Sequence, residues 1–128
     1  MKITVKMLTV LILLLPLLAT AGFDEAEKAN RAGDREAAFS EYRAAALLGD
    51  ERAFGKLAGL YLYGVGTERD YVMAYVWFGM SELSGDRYAQ GYQGAAASMM
   101  SAEQLKAAEA KLVEMRERLD LPEKSPQN

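Results

Sequence analysis

The chain contains no cysteine and no histidine. Without cysteine there can be no disulfide, so an apolar core must hold the fold even in an oxidising compartment. Without histidine the commonest general base and the commonest metal ligand are both missing. Lys and Arg form no cluster, and the formal net charge is −3. That balance argues against nucleic acid or an anionic membrane surface as the main partner, because both attract grouped cations. There is a single tryptophan, so any aromatic platform for a sugar has to be built around Trp77 with Tyr75 and Phe78.

Long apolar runs are also scarce. The one that stands out, Met7 to Ala19, has about 13 residues, short of the roughly 20 that a bilayer-spanning helix needs. Lys2 and Lys6 precede it, Pro16 interrupts it, and Ala19-Thr20-Ala21 supplies small residues behind it. This is the layout of a secretory signal, and we expect residues 1–21 to be removed after Ala21. No cysteine lies near that point to carry a lipid. Taking Lys2 and Lys6 from the 15 basic residues leaves 13 against 18 acidic ones, a net charge of −5. The expected product is periplasmic or secreted, with no membrane attachment. Residues 22–121 suffice for one domain. Residues 122–128 are polar, carry two prolines and are expected to be disordered.

Within the domain the chain matches itself at a shift of 36 residues. Asp34, Ala38, Leu47, Gly49, Asp50 and Ala53 fall on Asp70, Ala74, Leu83, Gly85, Asp86 and Ala89, and Phe39 and Tyr42 fall on Tyr75 and Phe78. A period in the thirties marks stacked helical hairpins, each burying its apolar face against its neighbours. Ala38, Tyr42, Ala45 and Gly49 step by four, three and four, as do Ala74, Phe78, Ser81 and Gly85. Gly-Asp pairs at 33–34, 49–50 and 85–86 punctuate the helices, glycine ending one and aspartate capping the next. The spacing predicts helices over about 23–31, 35–48, 51–63, 71–84, 87–99 and 102–119. Ser101 and Gln104 form a capping box for the last. Leu105, Ala108, Leu112, Met115 and Leu119 give it an apolar stripe suited to closing one end of the stack, and Glu114 with Arg118 is a favourable i,i+4 pair.

From Ala53 the pattern becomes specific. The segment Ala53-xxx-Leu57-Ala-xx-Tyr61 runs into Gly64-Val-Gly66, then Asp70-xxx-Ala74-xx-Trp77-Phe78, and ends on Gly85-Asp86 and Ala89. It resembles the Sel-one-like repeat (SLR), a relative of the tetratricopeptide repeats. Ala58, Thr67 and Ser81-Glu82 depart mildly from the family pattern, and after Ala89 the repeat is not completed. The resemblance covers roughly residues 30 to 115. It implies an all-α, short right-handed superhelix of helical hairpins, closed by the C-terminal amphipathic helix. It also implies a protein or peptide partner and no shared catalytic residues.

Other chemistries have weaker support. Gly64-Val65-Gly66 follows a helix rather than a strand, so it reads as a hinge and not a phosphate cradle. Trp77 and Phe78 sit at repeat positions that face a neighbouring hairpin, which favours a core role. Met73, Met80, Met99, Met100 and Met115 could in principle hold Cu(I), but their spacing is irregular and methionine is common core filler. An envelope hydrolase would need a base or paired acids, and Glu25, Glu27, Glu36 and Glu41 read as a solvated helix face. No catalytic residue, metal ligand or cofactor is assigned. A partner should meet the inner side of the superhelix, lined by the first helix of each hairpin. Phe54, Lys56, Tyr63, Gln90 and Tyr92 stand just off the buried stripe there. Phe54, one residue after Ala53, is expected to point partly outward as an anchor.

Overall fold

The computed structural model describes residues 22–123. The expected signal segment, and the tail beyond Glu123, lie outside the described residues. Six helices follow one another with no strand among these residues: α1 (Phe23–Arg31), α2 (Arg35–Leu47), α3 (Arg52–Tyr63), α4 (Tyr71–Leu83), α5 (Ala89–Ser98) and α6 (Ala102–Arg118). They match the six spans expected from apolar spacing, trimmed by a residue or two at their ends. None of them is long and apolar enough to cross a membrane.

The breaks between helices have a common chemistry. Gly33, Gly49 and Gly85 take φ of +77°, +85° and +99°, the left-handed conformation open to a residue without a Cβ. In each case the following aspartate donates its backbone N–H back five residues: Asp34 to Ala29 O, Asp50 to Ala45 O and Asp86 to Ser81 O, at 3.0, 3.0 and 3.1 Å. Helix carbonyls that would otherwise lack donors are satisfied in this way. The aspartate side chains then start the next element. Asp34 Oδ1 accepts from Ala37 N, Asp50 Oδ1 from Arg52 N and Asp86 Oδ1 from Tyr88 N. A fourth stop, after α6, uses Asp120 at φ +52° in place of glycine, with Leu121 N donating to Arg116 O. The Ser101/Gln104 capping box forms in full at the start of α6.

Short connections make successive helices pack as hairpins. The main contacts run α1 to α2, α2 to α3, α3 to α4 and α4 to α5, and α6 packs on α4. Helix α4 is therefore touched by three others. Its Val76, Trp77 and Met80 are among the largest fully buried side chains, with Tyr42, Phe54 and Leu57 from α2 and α3. Buried alanines at 38, 45, 46, 53, 58, 74, 89, 96 and 108 let backbones approach between them. Trp77 is 1 % exposed and Tyr61 8 %, as their repeat positions predict, and Phe78 at 5 % is likewise core. None of the three can serve as a sugar platform. Met80 and Met115 are buried while Met99 is exposed, a distribution that suits packing rather than a thioether cluster.

Two glycines mark seams. A Cβ at Gly66, whose φ is +71°, would lie 2.1 Å from the carbonyl oxygen of Arg35. The Gly64-Val65-Gly66 turn is thus pressed on the first turn of α2, joining one hairpin to the one before it. A Cβ at Gly79 would lie 2.6 Å from a methyl of Leu112 and 2.7 Å from Gln93 Nε2, so α6 sits directly on the α4 backbone. The closing helix therefore covers α4 rather than only the last helix of the stack. The expected Glu114–Arg118 pair does not form; Arg118 instead lines a groove between α6 and the helices beneath it.

Candidate protein-interaction groove

Helices α3 and α5 stand on either side of α4, and a groove of about 510 Å³ opens between them. From α3 and the turn before it come Glu51, Arg52, Gly55 and Lys56, from α4 and its end Phe78, Ser81 and Ser84, and from the α5 side Asp86 and Tyr92. Apolar area is supplied by Phe78 and Tyr92, whose rings stack at 5.3 Å with 17° between planes. Tyr92 remains 48 % exposed, so this ring can be covered by a partner without disturbing the core.

Beside these rings the lining is polar and ordered. Ser81 Oγ donates to Asp86 Oδ2 at 2.9 Å, while the other Asp86 oxygen caps the start of the next turn. Facing them is Gly55: a Cβ there would come 3.1 Å from Ser81 Oγ and 3.4 Å from Asp86 Oδ2. The absence of a side chain at Gly55 lets α3 lie close against this hydrogen-bonded pair. Two cations and two carboxylates border it, so its net charge is small and its recognition has to be by shape and hydrogen bonding as much as by charge.

Both cations are held from behind by α1. Arg52 donates to Asp50 at 2.7 and 3.0 Å and lies over the Phe23 ring at 4.4 Å. The Arg52 guanidinium holds the Asp50 carboxyl below its usual range. Lys56 Nζ is 3.8 Å from Glu27 Oε1, and the same carboxylate oxygen accepts a hydrogen bond from the buried Tyr42 hydroxyl. That bond, aided by Lys56 and Arg31 and opposed by partial burial, lowers the Glu27 pKa. Burial first, and then the bond to Glu27, raises the Tyr42 pKa.

Of the five side chains expected to meet a partner, the structure brings Lys56 and Tyr92 together in this groove. Tyr63 and Gln90 are exposed but do not line it. Phe54 is the correction: it is 0 % exposed and packs on Trp77 at a ring distance of 5.5 Å. Helix α3 is an inner helix with two buried stripes. Ala53, Leu57 and Tyr61 form one, with Tyr61 set edge-on to Phe39 of α2, and Phe54, Ala58 and Leu62 form the second. A residue beside the first stripe thus enters the second. In the sequence Asp86 stands as a repeat position and Ser81 as a departure from the repeat, while nothing in the spacing marks Gly55. Ser81 carried a signal, since it departs from the small apolar pair usual at that point of the repeat, and the hydroxyl it brings is the one bonded to Asp86.

Comparison with known proteins bears on this geometry. No protein-family profile and no curated protein sequence matches the chain. Among solved structures, the crystal structure of c5321, a protective antigen present in uropathogenic Escherichia coli strains and displaying an SLR fold, superposes with a TM-score of 0.62 at 27 % identity. The match covers 73 % of the chain. The chain has an SLR-like fold. It corresponds to 22 % of the length of that antigen, so the likeness is to a short section of a longer SLR array. In SLR terms, α3 with α4 is the complete repeat, and the groove lies between the first helix of that repeat and α5, the helix in the equivalent place after it.

Proposed function

We propose that the protein is an exported interaction module that holds a segment of a partner protein in the α3/α4/α5 groove, on the inner side of a short helical superhelix. The observation that carries this reading is the half-exposed Tyr92 ring stacked on buried Phe78, in a groove it shares with the ordered Ser81/Asp86 pair. Such a combination offers an aromatic anchor surrounded by satisfied polar groups, the usual make-up of an interface centre. Binding, rather than catalysis, also fits a chain without histidine or cysteine. Export is supported by the sequence of residues 1–21, and intact mass of the native product decides it: residue 1 or 2 still attached in the envelope fraction overturns cleavage.

A photo-crosslinking amino acid placed at position 92 or 56 tests the binding face. The expected result is one shared adduct from both positions in envelope extract, absent when the probe replaces Val113, which is exposed on α6. Tyr92→Ala should weaken capture by about 1 to 3 kcal/mol with an unchanged melting temperature. Equal capture by Tyr92→Ala and wild type places the binding face elsewhere and overturns the reading.

A further inference from the structure

A second groove lies on another side of α4. It has a volume of about 460 Å³ and is lined by Arg43 and Leu47 of α2, Tyr61 of α3, Asp70, Met73 and Trp77 at and along α4, and Lys111, Met115 and Arg118 of α6. Its charge is lopsided in an acidic protein, with three cations against one carboxylate. That carboxylate is already engaged, because Asp70 Oδ1 accepts from Met73 N at 2.9 Å as the cap of α4. Lys111 and Arg118 are two helical turns apart and so on one face of α6. Neither makes an ion pair among the described residues. Arg43 lies beside the Tyr61 hydroxyl.

The floor supplies an independent observation. Trp77 is 1 % exposed, and its Nε1 is the side-chain nitrogen or oxygen that is buried without a hydrogen-bond partner among the described residues. A buried N–H donor with no acceptor is costly, and since Trp77 lines this groove an acceptor admitted there would relieve that cost. Cations held near one another around a low-dielectric floor likewise favour an incoming anion.

We infer that the α2/α4/α6 groove is a second binding site, one that takes the carboxylates of an acidic peptide segment. Arg43, Lys111 and Arg118 meet the carboxylates, Leu47, Met73 and Met115 cover the aliphatic parts of the segment, and the Trp77 indole is the donor at its floor. The site is distinct from the α3/α4/α5 groove. Trp77 and Phe78 are neighbours in sequence, yet each lines a different groove, so α4 serves both faces.

The protein's one tryptophan is in this site, which makes its emission a direct readout. Oligoglutamate peptide titrated into the full domain should shift Trp77 emission saturably, while oligoglutamine and oligolysine should not. Raising salt from about 0.05 to about 0.5 M should weaken binding several-fold, because these charges are largely at the surface. Lys111→Gln and Arg118→Gln should each weaken it about threefold to tenfold with an unchanged melting temperature. Tyr92→Ala should bind oligoglutamate as wild type does, whatever its effect on the first groove. Absence of a saturable shift, an equal response to oligoglutamine, or full binding by Lys111→Gln and Arg118→Gln overturns the proposal. Displacement by inorganic phosphate at concentrations matching the peptide's carboxylates makes the site one for small anions, and overturns the peptide assignment.

Discussion

At the scale of single residues, the buried aromatics carry the largest energies. Phe54 was legible in the sequence as an aromatic beside a buried stripe but not as core, because one stripe is all that spacing within a single helix reveals; the second depends on what lies across α3. Phe54→Ala is expected to cost about 3 to 5 kcal/mol, as is Trp77→Ala, a large fraction of the stability of a domain this size. Chemical denaturation of each variant checks this, and a Phe54→Ala midpoint equal to wild type would place the ring at the surface. The Tyr42–Glu27 hydrogen bond predicts two pH limbs. The lowered pKa of Glu27 means that its contribution is intact above the ordinary value of 4.5 and is lost as pH falls through the lower folded value. The raised pKa of Tyr42 means that its contribution is intact below the ordinary value of 10.0 and is lost as pH rises above it. Melting curves against pH should therefore show a shallower acid limb for Glu27→Gln and a shallower alkaline limb for Tyr42→Phe.

Elements are more legible in the sequence than the contacts of single residues, since helix existence rests on local spacing and on caps that can be seen in sequence. The Gly-Asp pairs and the Ser101 capping box do in the structure what their chemistry requires. Ser101→Ala should cost about 1 kcal/mol, read as a drop in melting temperature, with fraying confined to the first turn of α6. What spacing could not give was the seat of α6. An amphipathic stripe fixes which face is buried and leaves open against what, and the choice of α4 follows from Gly79, whose bare backbone admits Leu112. Gly79→Ala should therefore loosen α6 selectively: amide exchange in residues 102–118 rises while α1 and α2 keep their protection. Uniform loss of protection across the chain would show that α6 is integral to the fold rather than docked on it.

At the scale of the molecule, α4 touches α3, α5 and α6, whereas the main contact of α1 is with α2 alone. The slowest-exchanging amides should accordingly lie in α4 and the fastest helical ones in α1, a gradient that native-state hydrogen exchange measures. The period of 36 residues pointed to helices packed in succession, and with it Lys56 and Tyr92 of the first groove, which consecutive helices build. The second groove could not be read from the chain because it joins residues from Arg43 to Arg118, far apart in sequence. The Gly66 seam carries a further implication. Its contacts are with the carbonyl oxygen of Arg35 and the Cβ of Phe39, so the joint does not depend on the Arg35 side chain. Arg35→Ala should leave stability nearly untouched while Gly66→Ala unfolds or splays the hairpins. The seam tolerates any residue at 35, yet the hairpin ahead of residue 52 is not interchangeable. It brings Phe39 against Tyr61 and sets Phe23 and Glu27 behind Arg52 and Lys56, so a foreign hairpin joined there would have to carry those side chains to keep the first groove's cations in place.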